Sequence, residues 1–125
     1  MGHLFYGTST ESIRIPDRLL SHIKVVTTTK LRRNESFTLS WAHVDGAPGR
    51  STLWIQPAIP LRFVFDSAEP ETLNSAVLKD MADRAGSSAG LSVDLTVEIP
   101  ASDNAQRRQT APAAVPVRRT LSAAA

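Results

Sequence analysis

At 125 residues and 42% hydrophobic content, the chain has the length and apolar material of one ordinary domain, which argues against a second independent core. It has no cysteine, so disulfides and thiolate metal sites are excluded and a reducing compartment fits. Its formal charge of +2 and pI near 9.5 suggest nucleic acid until the charges are placed along the chain.

Placed along the chain, they separate. Residues 1–99 hold 10 Lys/Arg against 11 Asp/Glu, net −1, whereas residues 100–125 hold four Arg against Asp103, net +3. The basic pI therefore comes from the end of the chain. Residues 1–62 carry 8 cations and 4 anions, while residues 63–99 carry 2 and 7. This predicts a basic side and an acidic side, a field of the kind that steers partners. The start MGHLFYG has no basic stretch followed by an apolar one, and no window approaches the roughly 18 apolar residues of a membrane span. A cytoplasmic, soluble protein with no membrane partner is the expectation.

In chain order, His3-Leu4-Phe5-Tyr6-Gly7 and Ser12-Ile13-Arg14-Ile15 read as two short strands joined by the polar turn Thr8-Ser9-Thr10-Glu11, a hairpin. Pro16-Asp17 opens a helical pattern with Leu19, Leu20, Ile23 and Val26 at three- and four-residue steps, and proline is tolerated at a first turn. The stripe meets Thr27, whose methyl group can be buried, and runs through Leu31. From Ser36 the period becomes two. Phe37, Leu39 and Trp41 share one face of a half-buried strand. The turn formers Asp45-Gly46-Ala47-Pro48-Gly49 then predict a meander into a strand over residues 51–56.

Pro57-Ala58-Ile59-Pro60 is an edge or a link, because proline cannot donate to a ladder. Leu61, Phe63 and Phe65 alternate as a third strand. Pro70 is expected at the start of a second helix with Leu73, Val77, Leu78, Met81 and Ala85 on its apolar face and Gly86 after its end. Leu91, Val93, Leu95, Val97 and Ile99 alternate strictly as a last strand. The order ββαβββαβ predicts an α+β two-layer sandwich, a mainly antiparallel sheet with two helices, over residues 1–99. Residues 100–125 are Ala-, Pro- and Arg-rich with no periodic apolar face, and read as a disordered tail.

No catalytic constellation emerges. Gly46-Ala47-Pro48-Gly49-Arg50-Ser51-Thr52 imitates a phosphate loop, but its glycines are too close, Arg50 stands where lysine is needed, and a strand follows. His3, His22 and His43 lie on three elements without ligand spacing, so no metal site is expected. No Gly-x-Ser-x-Gly elbow exists. Asp80 and Asp83 share a solvated helix face. Asn34-Glu35-Ser36 matches a glycosylation sequon without a secretory signal.

Cations remain as candidates. Arg14, Arg18, Lys24, Lys30, Arg32, Arg33, Arg50 and Arg62 lie in the cationic first half, where Tyr6, Phe37, Trp41 and Trp54 could supply stacking. Lys30, Arg32, Arg33 and Arg50 form the candidate phosphate grip. The structural alternative for the first three is complementarity to a helix C-terminus, about 0.3 to 1 kcal/mol at a surface. For Trp41 and Trp54 it is core packing. In the tail, Arg107-Arg108 and Arg118-Arg119 would add weak, salt-sensitive affinity.

The strings Asp17-Arg18-x-Leu20-x-His22-Ile23, Lys30-Leu31-Arg32-Arg33-x-Glu35-Ser36-Phe37, Ser40-Trp41, Gly49-Arg50, Trp54, Pro57-x-Ile59-Pro60-Leu61-x-Phe63, Leu73-Asn74 and Gly90-Leu91 are notable together. They resemble a family of small actinobacterial proteins often automatically labelled "ATP-dependent DNA ligase", otherwise a domain of unknown function. The resemblance covers residues 1–99 and implies a nucleic-acid or ligase-associated module. A self-sufficient ligase needs a Lys-x-Asp-Gly nucleophile, and here Lys79-Asp80-Met81 lacks the glycine while Lys24 and Lys30 are not followed by Asp. The chain is also shorter than a nucleotidyltransferase domain. The leading expectation is a non-catalytic, cofactor-free module for nucleic acid. The rivals are a protein-interaction or self-assembly domain, with Asp66, Glu69, Glu71, Asp80 and Asp83 meeting the basic side of a second copy, and a ligase-type enzyme.

Overall fold

The computed structural model describes residues 1–44, 46–97 and 99. The expected disordered tail over residues 100–125 lies outside them. The elements run β1 (Gly2–Tyr6), β2 (Ser12–Ile15), α1 (Asp17–Arg32), β3 (Phe37–Ala42), β4 (Arg50–Ile55), β5 (Leu61–Val64), α2 (Ser75–Ala85) and β6 (Leu91–Val93). The fold is α+β in the order ββαβββαβ, as the periodicities predict.

The strands form two small sheets instead of one. One has the order β2-β1-β5 and is antiparallel throughout; the other is β4-β3-β6, with β6 parallel to β3. The meander stops after β4, because Pro57 and Pro60 break the backbone donor pattern there. Gly7 N–H donates to Pro60 C=O at 2.8 Å, and β5 crosses to pair with β1, Tyr6 opposite Leu61. The parallel β3–β6 pair is possible because β4, β5 and α2 lie between them as a long crossover.

Helix α1 buries Leu19, Leu20, Ile23, Val26 and Thr27, as the stripe predicts, and also Ser21 and His22. Together with Leu4, Ile15, Phe37, Leu39, Ile55, Met81, Ala85, Leu91 and Leu95 these apolar residues make the core. Each fully buried leucine or isoleucine would cost about 2 to 5 kcal/mol on truncation to alanine.

Two boundaries differ from expectation. Helix α2 begins at Ser75, not near Pro70, because Asn74 caps it: Oδ1 of Asn74 accepts from Val77 N–H at 3.2 Å. Leu73 accordingly lies outside the helix and is exposed. Gly86 follows the end of α2 as expected, but at φ −82°, a right-handed conformation that any residue adopts. Strand β6 stops at Val93 because Oδ1 of Asp94 accepts both the backbone N–H (2.9 Å) and the hydroxyl (2.6 Å) of Thr96, turning the chain.

Candidate functional site

The last turn of α1 carries Lys30 and Arg32. It closes on Asn34, which sits in the left-handed region at φ 60°. Asn34 N–H reaches Leu31 C=O at 3.0 Å and Glu35 N–H reaches Lys30 C=O at 2.9 Å, the paired bonds of a Schellman ending. This ending folds Glu35 back, so that its Oε1 lies 3.4 Å from Nζ of Lys30. Lys30 is only 16% exposed and packs against Gly86, where an added Cβ would stand 3.2 Å from Nζ. Gly86 thus serves close approach between the two helix ends, not a positive φ. Arg32 and Arg33 stay exposed, with no ion pair among the described residues.

Both helices present C-terminal ends here, where unsatisfied carbonyls carry partial negative charge. Lys30 meets part of that charge and Glu35 meets Lys30. The two exposed guanidinium groups supply the positive field that is left over.

Beside this turn a cleft of about 610 Å3 is lined by residues that include Lys30, Glu35, Thr38, Trp54, Gly86 and Ser87. The turn carrying Arg32 and Arg33 joins two of these, Lys30 and Glu35. Trp54 corrects the expectation of core packing: it is 55% exposed. On β4 it shares parity with Arg50 and Thr52, while Leu53 and Ile55 face inward, and it stands opposite Thr38 on β3. That shared parity with two polar residues was a readable signal. The hydroxyl of Tyr6 donates to the Trp54 carbonyl, fixing the strand beneath the ring. Trp41, by contrast, packs against the core with Phe37 and Leu39.

The structure brings Lys30, Arg32 and Arg33 together and leaves Arg50 apart. Arg50 pairs with Ala42 at the far end of the β3–β4 ladder, five residues or roughly 17 Å along the strand from Ile55. Phe37 is buried and unavailable for stacking. Of the other cations, Nε of Arg18 is 3.8 Å from Glu71, Lys24 lies over the Phe65 ring, and Arg84 pairs with Asp80. On the acidic side, Asp66 takes the amine of Met1 at 2.6 Å. That bond holds the Asp66 carboxyl below its ordinary value and raises the amine.

The histidines behave as structural groups. His3 bonds Ser12 and His43 bonds Ser51 through their side chains. His22 is fully buried, with Nδ1 2.6 Å from Arg18 C=O and Nε2 2.9 Å from Asn74 N–H, so that the first nitrogen donates and the second accepts. Among the described residues no three His, Asp or Glu are placed to hold a metal ion, and no helix is long and apolar enough to cross a membrane.

Residues 1–96 match the family model described as a domain of unknown function, DUF7882. No curated protein and no solved structure matches the chain.

Proposed function

The chain belongs to the DUF7882 family, and from that premise we propose that it is a non-catalytic module that binds nucleic acid through the cleft at the ends of its two helices. The observation that carries this reading is the exposed Trp54 ring beside the turn of Arg32 and Arg33. Two exposed guanidinium groups, without an ion pair among the described residues, suit phosphate, and an open indole face suits a base, which stacks on aromatics whatever its identity. Lys30 supports the cleft wall while its charge is shared with Glu35, and Arg50 acts at a distance, as a second phosphate contact along the sheet. The absence of cysteine fits a cytoplasmic setting for such a module.

Self-assembly through charge is less favoured, because Asp66, Glu71 and Asp80 are already engaged within the chain. Ligase chemistry, the activity in the label of the proteins it resembles, lacks its nucleophile motif at Lys79-Asp80-Met81. Anisotropy of a labelled oligonucleotide titrated with the full chain at low salt tests the reading. Saturable binding with quenching of Trp54 fluorescence is expected, and absence of binding overturns it.

A further inference from the structure

The β2-β1-β5 sheet has an open face that the site above does not use. Residues directly opposite across its ladders share a face: His3 stands between Arg14 and Val64, and Phe5 between Ser12 and Arg62. The other face is the covered one. A Cβ at Gly2 would collide with Leu20 of α1, and Leu4 and Ile15 are buried on that side. On the open side Arg14 and Arg62 are exposed, and Phe5 and His3 are half-buried.

Three details give this face a chemistry. The guanidinium of Arg62 lies 5.2 Å from the centroid of Phe5, a cation resting on an aromatic ring. The His3 ring is 6.4 Å from Phe5, and its Nδ1 is 3.0 Å from the hydroxyl of Ser12, which holds the imidazole in place. None of the six positions is acidic. Asp66, whose field reaches Arg14 and His3, has its carboxylate on the Met1 amine.

We propose that this sheet face is a second binding surface, one that takes a single-stranded segment of nucleic acid. A base stacks on the outer plane of the Arg62 guanidinium, which Phe5 supports from below. Arg14 on the neighbouring strand takes the phosphate. A guanidinium plane accepts a base only when that base is free of its own stack, so a single strand fits and a duplex does not. The inference rests on the nucleic-acid reading for its ligand class, but not on the residues of that site.

The test uses a labelled oligo-dT of about ten nucleotides, a matched duplex, and the full chain in three forms besides wild type: Arg14→Ala/Arg62→Ala, Phe5→Leu and Arg32→Ala/Arg33→Ala. Losing the two sheet arginines is expected to weaken oligo-dT binding by about tenfold and to lower the slope of log affinity against log salt by about 1.4. Phe5→Leu keeps every charge and is expected to weaken oligo-dT at least fivefold, leaving the duplex unchanged. The arginines are exposed, so the double variant should melt with wild type and reads the surface even if Phe5→Leu unfolds. Wild-type affinity in the sheet double variant overturns the proposal. If Arg32→Ala/Arg33→Ala alone weakens binding, the cleft reading stands and this one falls. If wild type binds no strand, both fall. Equal affinity for strand and duplex overturns the single-strand assignment.

Discussion

The backbone N–H of Asn74 donates to Nε2 of His22 at 2.9 Å, across 52 residues of sequence. The same imidazole donates from Nδ1 to Arg18 C=O within α1. Asn74 in turn caps α2 with its side chain, so one buried ring fixes where the second helix starts. Both residues are almost fully buried, so the Asn74 N–H has no water to replace its bond to the ring. The contact ties the N-terminus of α2 to α1.

Replacing His22 by leucine keeps the volume and strands the Asn74 N–H in the core. The expected loss is about 1 to 3 kcal/mol, the cost of an unsatisfied buried donor. Urea unfolding measures it, and hydrogen exchange should show the Asn74 amide losing protection. An unchanged midpoint would mean that the bond contributes nothing.

Gly90→Ala should be among the most damaging small substitutions. Gly90 has φ +76°, and a Cβ there would overlap the hydroxyl of Thr38 in the neighbouring strand β3. Strain alone costs about 1 to 2 kcal/mol, and the clash adds to it at the β3–β6 pair. Thermal melting should record a drop of several degrees, and the double variant Gly90→Ala/Thr38→Ala should recover part of it.

Acid should loosen the turn after β6. Two bonds from Thr96, hydroxyl first and backbone second, hold the Asp94 carboxyl below its ordinary value of 3.8. A carboxylate with a lowered folded pKa stabilises the fold fully above its unfolded value, and that contribution is lost as pH falls through the lower folded value. Between wild type and Asp94→Asn, the stability gap should therefore be constant above the unfolded value and narrow as pH falls through the lower folded value. A gap that does not change with pH would contradict the assignment.

Trp54 and Trp41 should separate in fluorescence. With one indole open to water and the other against the core, Trp54→Phe should remove most of the acrylamide-quenchable emission, and Trp41→Phe little of it. Equal losses would contradict the exposure of the cleft.

Much of this architecture was legible in the residues, and the failures have physical causes. The α1 stripe, including the buried Thr27, follows from period 3.6, and Phe37-Leu39 from period two. Pairing between distant strands leaves no local trace, so the crossing of β5 to β1 could not be read, although Pro57 and Pro60 did mark where the meander breaks. The start of α2 was misread because Pro70 is a strong local signal, and the capping Asn74 gains its authority from His22, far away in sequence. At the site, Lys30-Arg32-Arg33 was visible as a cluster. The pairing of Lys30 with Glu35, the distance of Arg50 and the outward face of Trp54 depend on tertiary placement.

Arg32 and Arg33 are proposed to meet phosphate. The most direct measurement is the salt dependence of oligonucleotide affinity, from low salt to roughly 0.2 M, for wild type and Arg32→Ala/Arg33→Ala. Affinity should fall steeply with salt in wild type, with a slope shallower by about 1.4 to 1.8 in the double variant. Binding that ignores salt, or identical slopes in the two proteins, would contradict it.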